Sequence, residues 1–423
     1  MLSTRANKET VMESYRVAGI DVHKKMLAVV VTDAAWEGEF QFVRRKFGTM
    51  DSHLRELREW LASQQVREVV MESTAQYWRP VWFQLEPQFK LNLAQAQSNR
   101  APKGRKSDFQ DAERLARRHI AGELILSFVP EPEQRMWRTL TRTKNQLTRD
   151  RVRMQNQMES LLQEARIKLS SCVSDSLGLS SRRMLQALAE GATDPALLAQ
   201  MAEPELQATP EQLQEALSAA PTMATAHRRI LKLLLQRVDL IESQRGELEQ
   251  ILATTLKPYE DAVARLAEVP GYGVNSAQQV IAEVGPEAAT FSSPEELASW
   301  MGACPGREES AEVSTSDRCP KGNRPMRRVL TQVAHAAIKN KGNVFHAFYR
   351  RLVVRKGHKL AIWAVVHRLC RLTWKILHQG VSYQERGPSP NPRAVQQRKK
   401  RLVRALQALG FQVQLTSVQP APV

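Results

Sequence analysis

The sequence predicts a mixed α/β domain at its N-terminus, followed by a long α-helical region and a second, all-α domain. Short apolar runs alternate with amphipathic segments in the first part, which is typical of strands and helices that share one sheet. Two stretches with apolar residues at three- and four-residue steps indicate long helices, and a glycine-rich turn and several basic helices follow. We therefore expect a disordered segment 1–14, domains 15–128, 129–260 and 261–380, and a partly disordered tail 381–423.

The first domain opens with three apolar runs that predict a meander of three strands. A helix with leucines on one face comes next, and strands and helices then alternate. The strand segments are RVAGIDV, MLAVVVTD, EFQFVRRKF, REVVMES and LNLAQA, and the helix segments are HLRELREWLAS, QYWRPVWFQLE and KSDFQDAERLARRHIAG. Ser107 and Gln110 form a capping box at the start of the last helix. This order of elements predicts an α/β domain with a mixed sheet.

The middle region is dominated by two long helices, predicted from Glu133 to about Leu169 and from about Thr225 to Leu252. Their apolar stripes are typical of a coiled coil or of a long antiparallel helix pair. Short helices interrupted by Gly, Pro and Ser are expected between them, over residues 172–222. The pattern leaves two arrangements open: a helical hairpin within one chain, or a dimer interface.

The C-terminal domain begins with LAEVPGYGVNSAQQVIAEVG, which predicts two helices joined by a tight turn of the helix-hairpin-helix kind. The amides of Gly271 and Gly273 and the following helix N-terminus could hold a phosphate, although glycine-rich turns also join helices that bind nothing. A capped helix at 293–302, a polar loop at 303–323 and three basic helices ending near Gln379 complete the domain.

The composition indicates a globular protein with a polyanionic partner. The 423 residues carry a net charge of +17 and a pI near 10.0, while the hydrophobic content is an ordinary 42%. Charge alone does not separate DNA from RNA or from an anionic membrane. The four cysteines show neither a CxxC pair nor zinc-ligand spacing, which predicts free thiols in a reducing cytosol. With no signal peptide and no membrane-spanning run expected, the sequence predicts a cytoplasmic protein without a membrane partner.

Four acidic residues of the first domain stand at positions that suit a metal site. Asp21 lies on the first strand, Glu72 ends the fourth, and Asp108 and Asp111 share one face of the closing helix. In a sheet whose first and fourth strands are neighbours, Asp21 and Glu72 could meet that helix. Carboxylates that converge repel one another unless a cation neutralises them, and such oxygen-rich sites suit Mg²⁺ or Mn²⁺. The simpler alternatives are that Asp21 starts a turn, that Glu72 is a surface acid, and that the two helix acids favour the helix N-terminus. The set of four in this order of elements favours the metal site.

Basic residues lie near the four acids and around the polar loop 303–323, where they could contact a phosphate backbone. Those near the acids are Lys103, Arg105, Lys106, Arg114 and Arg117, and those around the polar loop are Arg307, Lys321, Arg324, Arg327 and Arg328. The loop itself carries several hydroxyls, among them Ser310, and composition does not select one of them as a nucleophile. A flexible polar loop that touches nucleic acid is the alternative.

Several motifs resemble those of the DEDD insertion-sequence transposases, the IS110 family. GIDVHKK, MESTAQYWRPV and KSDFQDAERLA resemble the acidic motifs of that family. VPGYG, SAQQVIAEVG, ELASWMGACPGREES and KGNRPMRRVL resemble its C-terminal transposase domain. The resemblance covers roughly residues 15–125 and 262–380, and the motifs agree in order at both ends.

This resemblance implies a RuvC-like domain of the RNase H type, with Asp21, Glu72, Asp108 and Asp111 as the metal-binding tetrad. It also implies that Ser310 is the nucleophile, since the run from Gly302 to Ser310 matches the spacing of the family's serine motif. Members of the family are recombinases that move their own element, guided by a structured bridge RNA, and they act as dimers paired into tetramers. A bacterial cytoplasmic location, at the nucleoid during the reaction, is implied as well.

Three functions follow as hypotheses. The leading one is a DNA recombinase in which Ser310 attacks a phosphodiester at element ends and target, assisted by Mg²⁺ or Mn²⁺ on the tetrad. The second is a metal-dependent nuclease or junction resolvase with water as the nucleophile. The third is a non-catalytic RNA-binding, dimerising protein, which would bind RNA in a salt-sensitive way and would not depend on metal.

Overall fold

The computed structural model divides the chain into two compact units, Met1–Pro130 and Glu131–Val423. It describes residues 15–34, 39–73, 75–96, 99, 107–304, 308–310, 313–316, 319–385, 387 and 392–415, without the side chains of 308–310, 313–316, 392–395 and 398. The segment 1–14, expected to be disordered, lies outside this range. None of the helices in the described ranges has an apolar stretch suited to crossing a bilayer.

Unit 1 is built on a five-stranded mixed sheet. Its strands are β1 (Arg16–Val22), β2 (Met26–Asp33), β3 (Val43–Gly48), β4 (Val66–Glu72) and β5 (Lys90–Ala94). The order across the sheet is β3-β2-β1-β4-β5. The first three strands are antiparallel neighbours, whereas β1, β4 and β5 run parallel. This topology confirms the predicted α/β domain with a mixed sheet.

Helices cover both faces of this sheet. They are α1 (Asp51–Ser63), α2 (Trp78–Leu85) and α3 (Asp108–Ile120). Residues Ala18 and Ile20 of β1 belong to the core under α1 and α2, while Val17 packs with Leu115 of α3. The alternation of a strand therefore places Val17, Gly19 and Asp21 on the α3 face. The predicted order of elements is confirmed, except that β3 begins at Val43 because its pairing with β2 ends there.

The first part of unit 2 consists of two long helices with shorter ones between them. They are α4 (Pro132–Glu164), α5 (Leu179–Glu190), α6 (Pro195–Ala199), α7 (Pro210–Ala216) and α8 (Thr225–Thr255). Helices α4 and α8 lie against each other, and Met158 and Leu162 of α4 share a core with Leu231 and Val238 of α8. The intramolecular arrangement left open by the sequence is thus present, and the coiled-coil dimer stays a prediction.

The rest of unit 2 is mainly helical. Its elements are α9 (Glu260–Ala267), α10 (Val274–Val284), α11 (Pro294–Met301), β6 (Glu308–Ser310), β7 (Val313–Ser316), α12 (Arg324–Lys339), α13 (Val344–Gln379) and α14 (Pro392–Ala408). Gly357 interrupts α13 with φ 75° and ψ 169°, so three helical segments run from Arg324 to Gln379, as predicted. The predicted polar loop contains an antiparallel pair, β6 and β7, that lacks the apolar alternation of a buried strand.

The two predicted N-cap residues, Ser107 and Ser293, each accept a hydrogen bond at the start of their helix. Ser107 accepts a hydrogen bond from the amide of Gln110 at 3.4 Å, and Ser293 accepts one from the amide of Glu296 at 3.2 Å. The Glu296 carboxylate, however, accepts from the amide and hydroxyl of Ser292 rather than from the cap residue. These bonds satisfy amides at the helix starts and fix where α3 and α11 begin.

Candidate active site

Asp21, His23 and Asp108 form the centre of the candidate site in unit 1. The Nε2 atom of His23 lies 3.0 Å from Oδ2 of Asp21 and 3.4 Å from Oδ1 of Asp108. One ligand atom from each residue falls within 4.8 Å of the others, the only such group of three or more His, Cys, Asp or Glu side chains in the described ranges. Sequence reasoning missed His23, although the two-residue step from Asp21 was a signal for it.

Backbone architecture brings these groups together. Asp21 lies next to the C-terminal end of β1, one residue beyond the paired Ile20 and Met71, so Glu72 at the end of β4 is its lateral neighbour. Glu72 also lies on the α3 face, two residues after Val70, which packs beneath α3. The strand order β1-β4 thus confirms the neighbouring strands on which the sequence prediction depended.

Gly19 sets the distance between α3 and the sheet. A Cβ atom at this position would lie 2.3 Å from the carbonyl oxygen of Ala112 and 3.1 Å from Cβ of Ala116. Only glycine lets the α3 backbone come this close to β1. The first turn of α3, which carries Asp108 and Asp111, is thereby held beside Asp21.

Glu72 and Asp111 have their own hydrogen-bond partners. Asn99 is 3% exposed and donates from Nδ2 to Glu72 Oε2 at 3.0 Å. Arg114 donates to Asn99 Oδ1 at 3.3 Å and to Asp111 Oδ1 at 2.6 Å. Arg114, predicted to contact nucleic acid, therefore holds Asp111 directly and Glu72 only through Asn99. Asn99 is a second site residue that sequence reasoning missed.

The site carries a surplus of negative charge. Burial raises the pKa of Asp21; its bond to His23 lowers that pKa, and the nearby Asp111 and Asp108 raise it further. Lys46 contributes a cation 3.7 Å from Asp108, but its side chain is more than half exposed. Burial and neighbouring acids make the ionised state of such a carboxylate less favourable, and a bound divalent cation stabilises that ionised state. Oxygen ligands with one imidazole nitrogen fit Mn²⁺ and, through the oxygens, Mg²⁺.

The remaining basic residues predicted for unit 1 are placed as follows. Arg117 lies over the rings of Phe40 and Phe42, with its guanidinium carbon 5.8 and 5.2 Å from their centres. Lys103, Arg105 and Lys106 lie outside the described residues. Contact of any of them with nucleic acid stays a prediction.

The second candidate site, in unit 2, is the antiparallel pair of β6 and β7, in which Ser310 is the last residue of β6. Its backbone pairs Ser310 with Val313, and the Ser310 side chain and Arg307 lie outside the described part. The two ends of the surrounding segment are joined by Arg327, which donates to the carbonyl oxygens of Gly302 at 3.0 Å and Pro320 at 2.7 Å. Its guanidinium also lies 4.4 Å from the ring centre of Trp363. Arg327, predicted to bind nucleic acid, closes the base of the loop here.

The other residues of unit 2 that were predicted to contact nucleic acid differ in exposure and in the protein contacts they already make. Lys321 and Arg324 are exposed, whereas Arg328 donates to Gln279 at 3.0 Å and has its pKa lowered by burial and then by Arg149. A Cβ at Gly271 would lie 2.3 Å from the carbonyl oxygen of Val333, which gives this glycine a packing role. The amide of Gly273 donates to Ser276 at 2.9 Å, so the phosphate site in this turn stays a prediction.

Comparisons with known proteins agree with this architecture. A model of the DEDD transposases of the IS110 family matches residues 18–167, and a model of the transposase IS116/IS110/IS902 family matches 263–350. Together the two ranges take in more than half of the chain. They include the four acids of unit 1 and the hairpin that bears Ser310.

Individual relatives have low identity. A protein of Sinorhizobium fredii is 27% identical over 180 residues, which are 41% of this chain and 46% of that protein. The transposase for insertion sequence element IS1111A of Coxiella burnetii is 24% identical, covering 67% of this chain and 69% of that protein. A probable family 20 transposase of Pseudomonas aeruginosa is 23% identical, covering 67% and 75%. The chain thus spans less than half of the first relative's length.

Among solved structures, a Thermus thermophilus RuvC structure matches 26% of this chain and 99% of that chain, at 15% identity and a TM-score of 0.22. The two family models, placed on the acidic sheet and on the serine hairpin, are the findings that identify the protein. The chain belongs to the IS110 family of DEDD transposases.

Proposed function

We propose that the protein is the transposase of an insertion sequence, which cuts and rejoins DNA at the ends of its element and at a target. The observation that carries this proposal is the convergence of Asp21, His23 and Asp108, with Asp111 close enough to raise the pKa of Asp21. Acids held at a rigid sheet end without enough cations of their own are suited to bind a divalent ion and a phosphate together.

Asp21, Glu72, Asp108 and Asp111 would hold Mg²⁺ or Mn²⁺, with His23 as an additional nitrogen ligand. The ion, when bound, would polarise the scissile phosphate and offset the charge that develops on its oxygens. Arg114 and Asn99 would orient Asp111 and Glu72, because both are hydrogen-bonded to them already. This support shell is what a precise metal site requires.

Ser310 would supply the nucleophile. Its hydroxyl oxygen forms a bond to phosphorus, the bond to one strand oxygen breaks, and the hydroxyl proton ends on the departing strand as a new DNA hydroxyl. A second DNA hydroxyl then attacks the serine phosphodiester and returns the proton to Ser310. One phosphodiester is exchanged for another, so the rejoining needs no external energy source.

A structured guide RNA and pairing of dimers into tetramers belong to this proposal. The support for an RNA partner beside DNA is a net charge of +17 and a segment, residues 318–384, that contains no Asp or Glu. Such a protein can neutralise many phosphates of both DNA and RNA. If sequence is read by RNA–DNA base pairing, these cations only need to hold the backbone. The reaction would take place at the nucleoid in the bacterial cytoplasm.

The second candidate function is a metal-dependent nuclease or junction resolvase. The Asp21–His23–Asp108 cluster favours it, because the cluster is complete within unit 1 and water could serve as the nucleophile there. The non-catalytic RNA-binding alternative is weakest, because grouped carboxylates would repel a polyanion that they did not bind through a metal.

The test uses labelled element-end DNA, Mg²⁺ and the full-length protein with co-expressed element RNA, analysed on denaturing gels. Wild type, Ser310→Ala and Asp21→Asn are compared. A slow, protease-sensitive protein–DNA adduct that both variants lack is the result expected for the serine recombinase. Free cleaved DNA with wild type and Ser310→Ala alike would instead establish the nuclease. RNA binding without any cleavage by wild type would leave the non-catalytic alternative.

A further inference from the structure

The second half of α13, after Gly357, carries a line of cations on its outer face. Arg368, Arg371 and Lys375 are exposed, at steps of three and four residues. With a rise of 1.5 Å per residue, consecutive cations along this face are about 4.5 and 6 Å apart along the axis. The opposite face of the same helix is buried in the unit 2 core, for example at Leu369. The orientation of the cationic face is therefore fixed.

A cleft of about 520 Å³ runs beside these cations. Its other walls are largely apolar: Phe345 at the start of α13, Leu372 and Ile376 on its flank, and Val381 and Tyr383 in the segment that follows the helix. This volume is within the range of small-ligand sites, roughly 300–1,000 Å³. The cleft thus combines a cationic edge with an apolar interior.

The outer wall of the cleft, residues 381–385, is tied to the protein at two places. The amide of Tyr383 donates to Glu268 Oε2 at 2.8 Å. Glu385 Oε1 accepts from the amide of Val344 at 3.2 Å, and Glu385 Oε2 accepts from the Tyr383 hydroxyl at 2.6 Å. The wall is therefore a fixed surface, and the Glu385 carboxylate is already engaged by these donors.

The cleft keeps an excess of positive charge. Arg371 is paired with Glu295 at 2.5 Å, and Arg368 lies over the ring of Phe348 at 4.3 Å. Lys375 forms no ion pair within the described ranges. Its own segment cannot supply one, since residues 318–384 contain neither Asp nor Glu. An anionic ligand can therefore bind here without displacing a partner of Lys375.

We propose that this cleft binds an unpaired nucleotide of a single-stranded polynucleotide. Phosphates would lie along Arg368 and Lys375, and one unstacked base would enter the apolar interior beside Tyr383. A small inorganic anion would leave the apolar walls unused, and a duplex keeps its bases stacked inside and would touch only the cations. The proposal does not rest on the serine mechanism, because it needs only a polynucleotide.

The test is fluorescence anisotropy of the full chain with a labelled 12-nucleotide single strand, as DNA and as RNA, and with the duplex of the same sequence. Two exposed positions are changed separately: Lys375→Gln at the cationic edge and Val381→Asp inside the cleft. Lys232→Gln, an exposed lysine on α8, is the matched control for loss of one charge. Circular dichroism and thermal melting check that each variant folds.

Val381→Asp is expected to weaken single-strand binding about tenfold and to leave duplex binding within twofold. Lys375→Gln should weaken single-strand binding severalfold and should make the slope of log K against log salt concentration shallower by about 0.7, the value for one phosphate of a single strand. Lys232→Gln should change neither. A strand with 2-aminopurine as its central base should show altered fluorescence with wild type and not with Val381→Asp.

The two single strands distinguish the source of the nucleotide, since the tighter one identifies DNA or RNA. Equal loss of single-strand and duplex binding in Val381→Asp would overturn the proposal, because the cleft would then not discriminate unstacked bases. An effect of Lys375→Gln no larger than that of Lys232→Gln would overturn it as well. Both results are independent of whether Ser310 forms a DNA adduct.

Discussion

Replacing Gly19 by alanine should disable the acidic site from a position that bears no functional group. Gly19 lies on the central strand, beneath α3, and the added Cβ would be 2.3 Å from the carbonyl oxygen of Ala112. That oxygen belongs to the helix backbone, so no side-chain rotation can relieve the contact. The helix itself must move away from the sheet.

The size of the movement follows from the contact. Ordinary van der Waals contact begins near 3.4 Å, so α3 must retreat by about 1 Å to accept the methyl group. Asp108 and Asp111 lie in the first turn of this helix and would move with it. Metal–ligand distances tolerate only about 0.2 Å, and a misplacement of about 1 Å can lower a rate about a hundredfold. The overpacking should also cost about 1–3 kcal/mol in free energy of unfolding.

Three measurements test this prediction on the same preparations. Mn²⁺ titration followed by electron paramagnetic resonance reports metal binding, urea unfolding reports stability, and adduct formation on element-end DNA reports activity. Gly246→Ala in α8 is the control, because a Cβ there meets nothing within 4 Å and should stabilise the helix by about 0.5–1 kcal/mol. If Gly19→Ala bound Mn²⁺ and formed adduct like wild type, the close approach of α3 would not position the site.

Four further outcomes follow. His23→Ala should lower Mn²⁺ affinity about tenfold and Mg²⁺ affinity by less than threefold in calorimetric titrations, because imidazole is a preferred ligand of Mn²⁺ rather than of Mg²⁺; equal losses would exclude His23 as a ligand. Asp21→Asn should raise the free energy of unfolding, measured by urea titration without metal, by about 0.5–2 kcal/mol, because burial and the neighbouring acids raise the pKa of Asp21. The stability of this variant should no longer respond to Mg²⁺. Glu283→Gln should lower the free energy of unfolding by about 3 kcal/mol. Glu283 is 2% exposed and faces Arg138, whose pKa is lowered by burial to about 10, so the substitution leaves this arginine without its counter-charge. An unchanged urea midpoint would contradict this prediction. Burial alone would raise the pKa of Glu242, but hydrogen bonds from Arg151 and Arg182 outweigh it, so the pKa is lowered. The stabilisation by Glu242 is therefore present above pH 4.5 and is lost as the pH falls through the lowered pKa of the folded state. The difference in free energy of unfolding between wild type and Glu242→Gln should shrink over that pH interval.

The positions of the four acids could be predicted because they depend on local periodicity and on strand order. Strand alternation places Asp21 and Glu72 on one face of the sheet, and helical spacing places Asp108 beside Asp111. The neighbouring of β1 and β4 was the one tertiary assumption, and the sheet order confirms it.

The partners of these acids could not be predicted in the same way. His23 stands after the end of a strand, where a turn residue is an equally good explanation. Asn99 reaches Glu72 from a segment without apolar periodicity, and Arg114 has the charge pattern of a nucleic-acid contact. Their roles depend on distances between elements, which a single sequence does not contain. The same holds for the pair β6 and β7, whose hydroxyl-rich strands carry no apolar alternation.

The two groups of acids at the sheet end differ in the protein contacts they already make. Asp111 and Glu72 are held by Arg114 and Asn99 inside unit 1, so their geometry is set before any ligand arrives. Among the described residues, His23 contacts both Asp21 and Asp108 and the exposed Lys46 contacts Asp108 alone, which leaves the charge of these two acids incompletely compensated. A bound cation therefore interacts most favourably with Asp21 and Asp108, while Asp111 and Glu72 keep the orientation that Arg114 and Asn99 give them. This division lets a rigid scaffold support a site whose stability improves when a divalent ion binds.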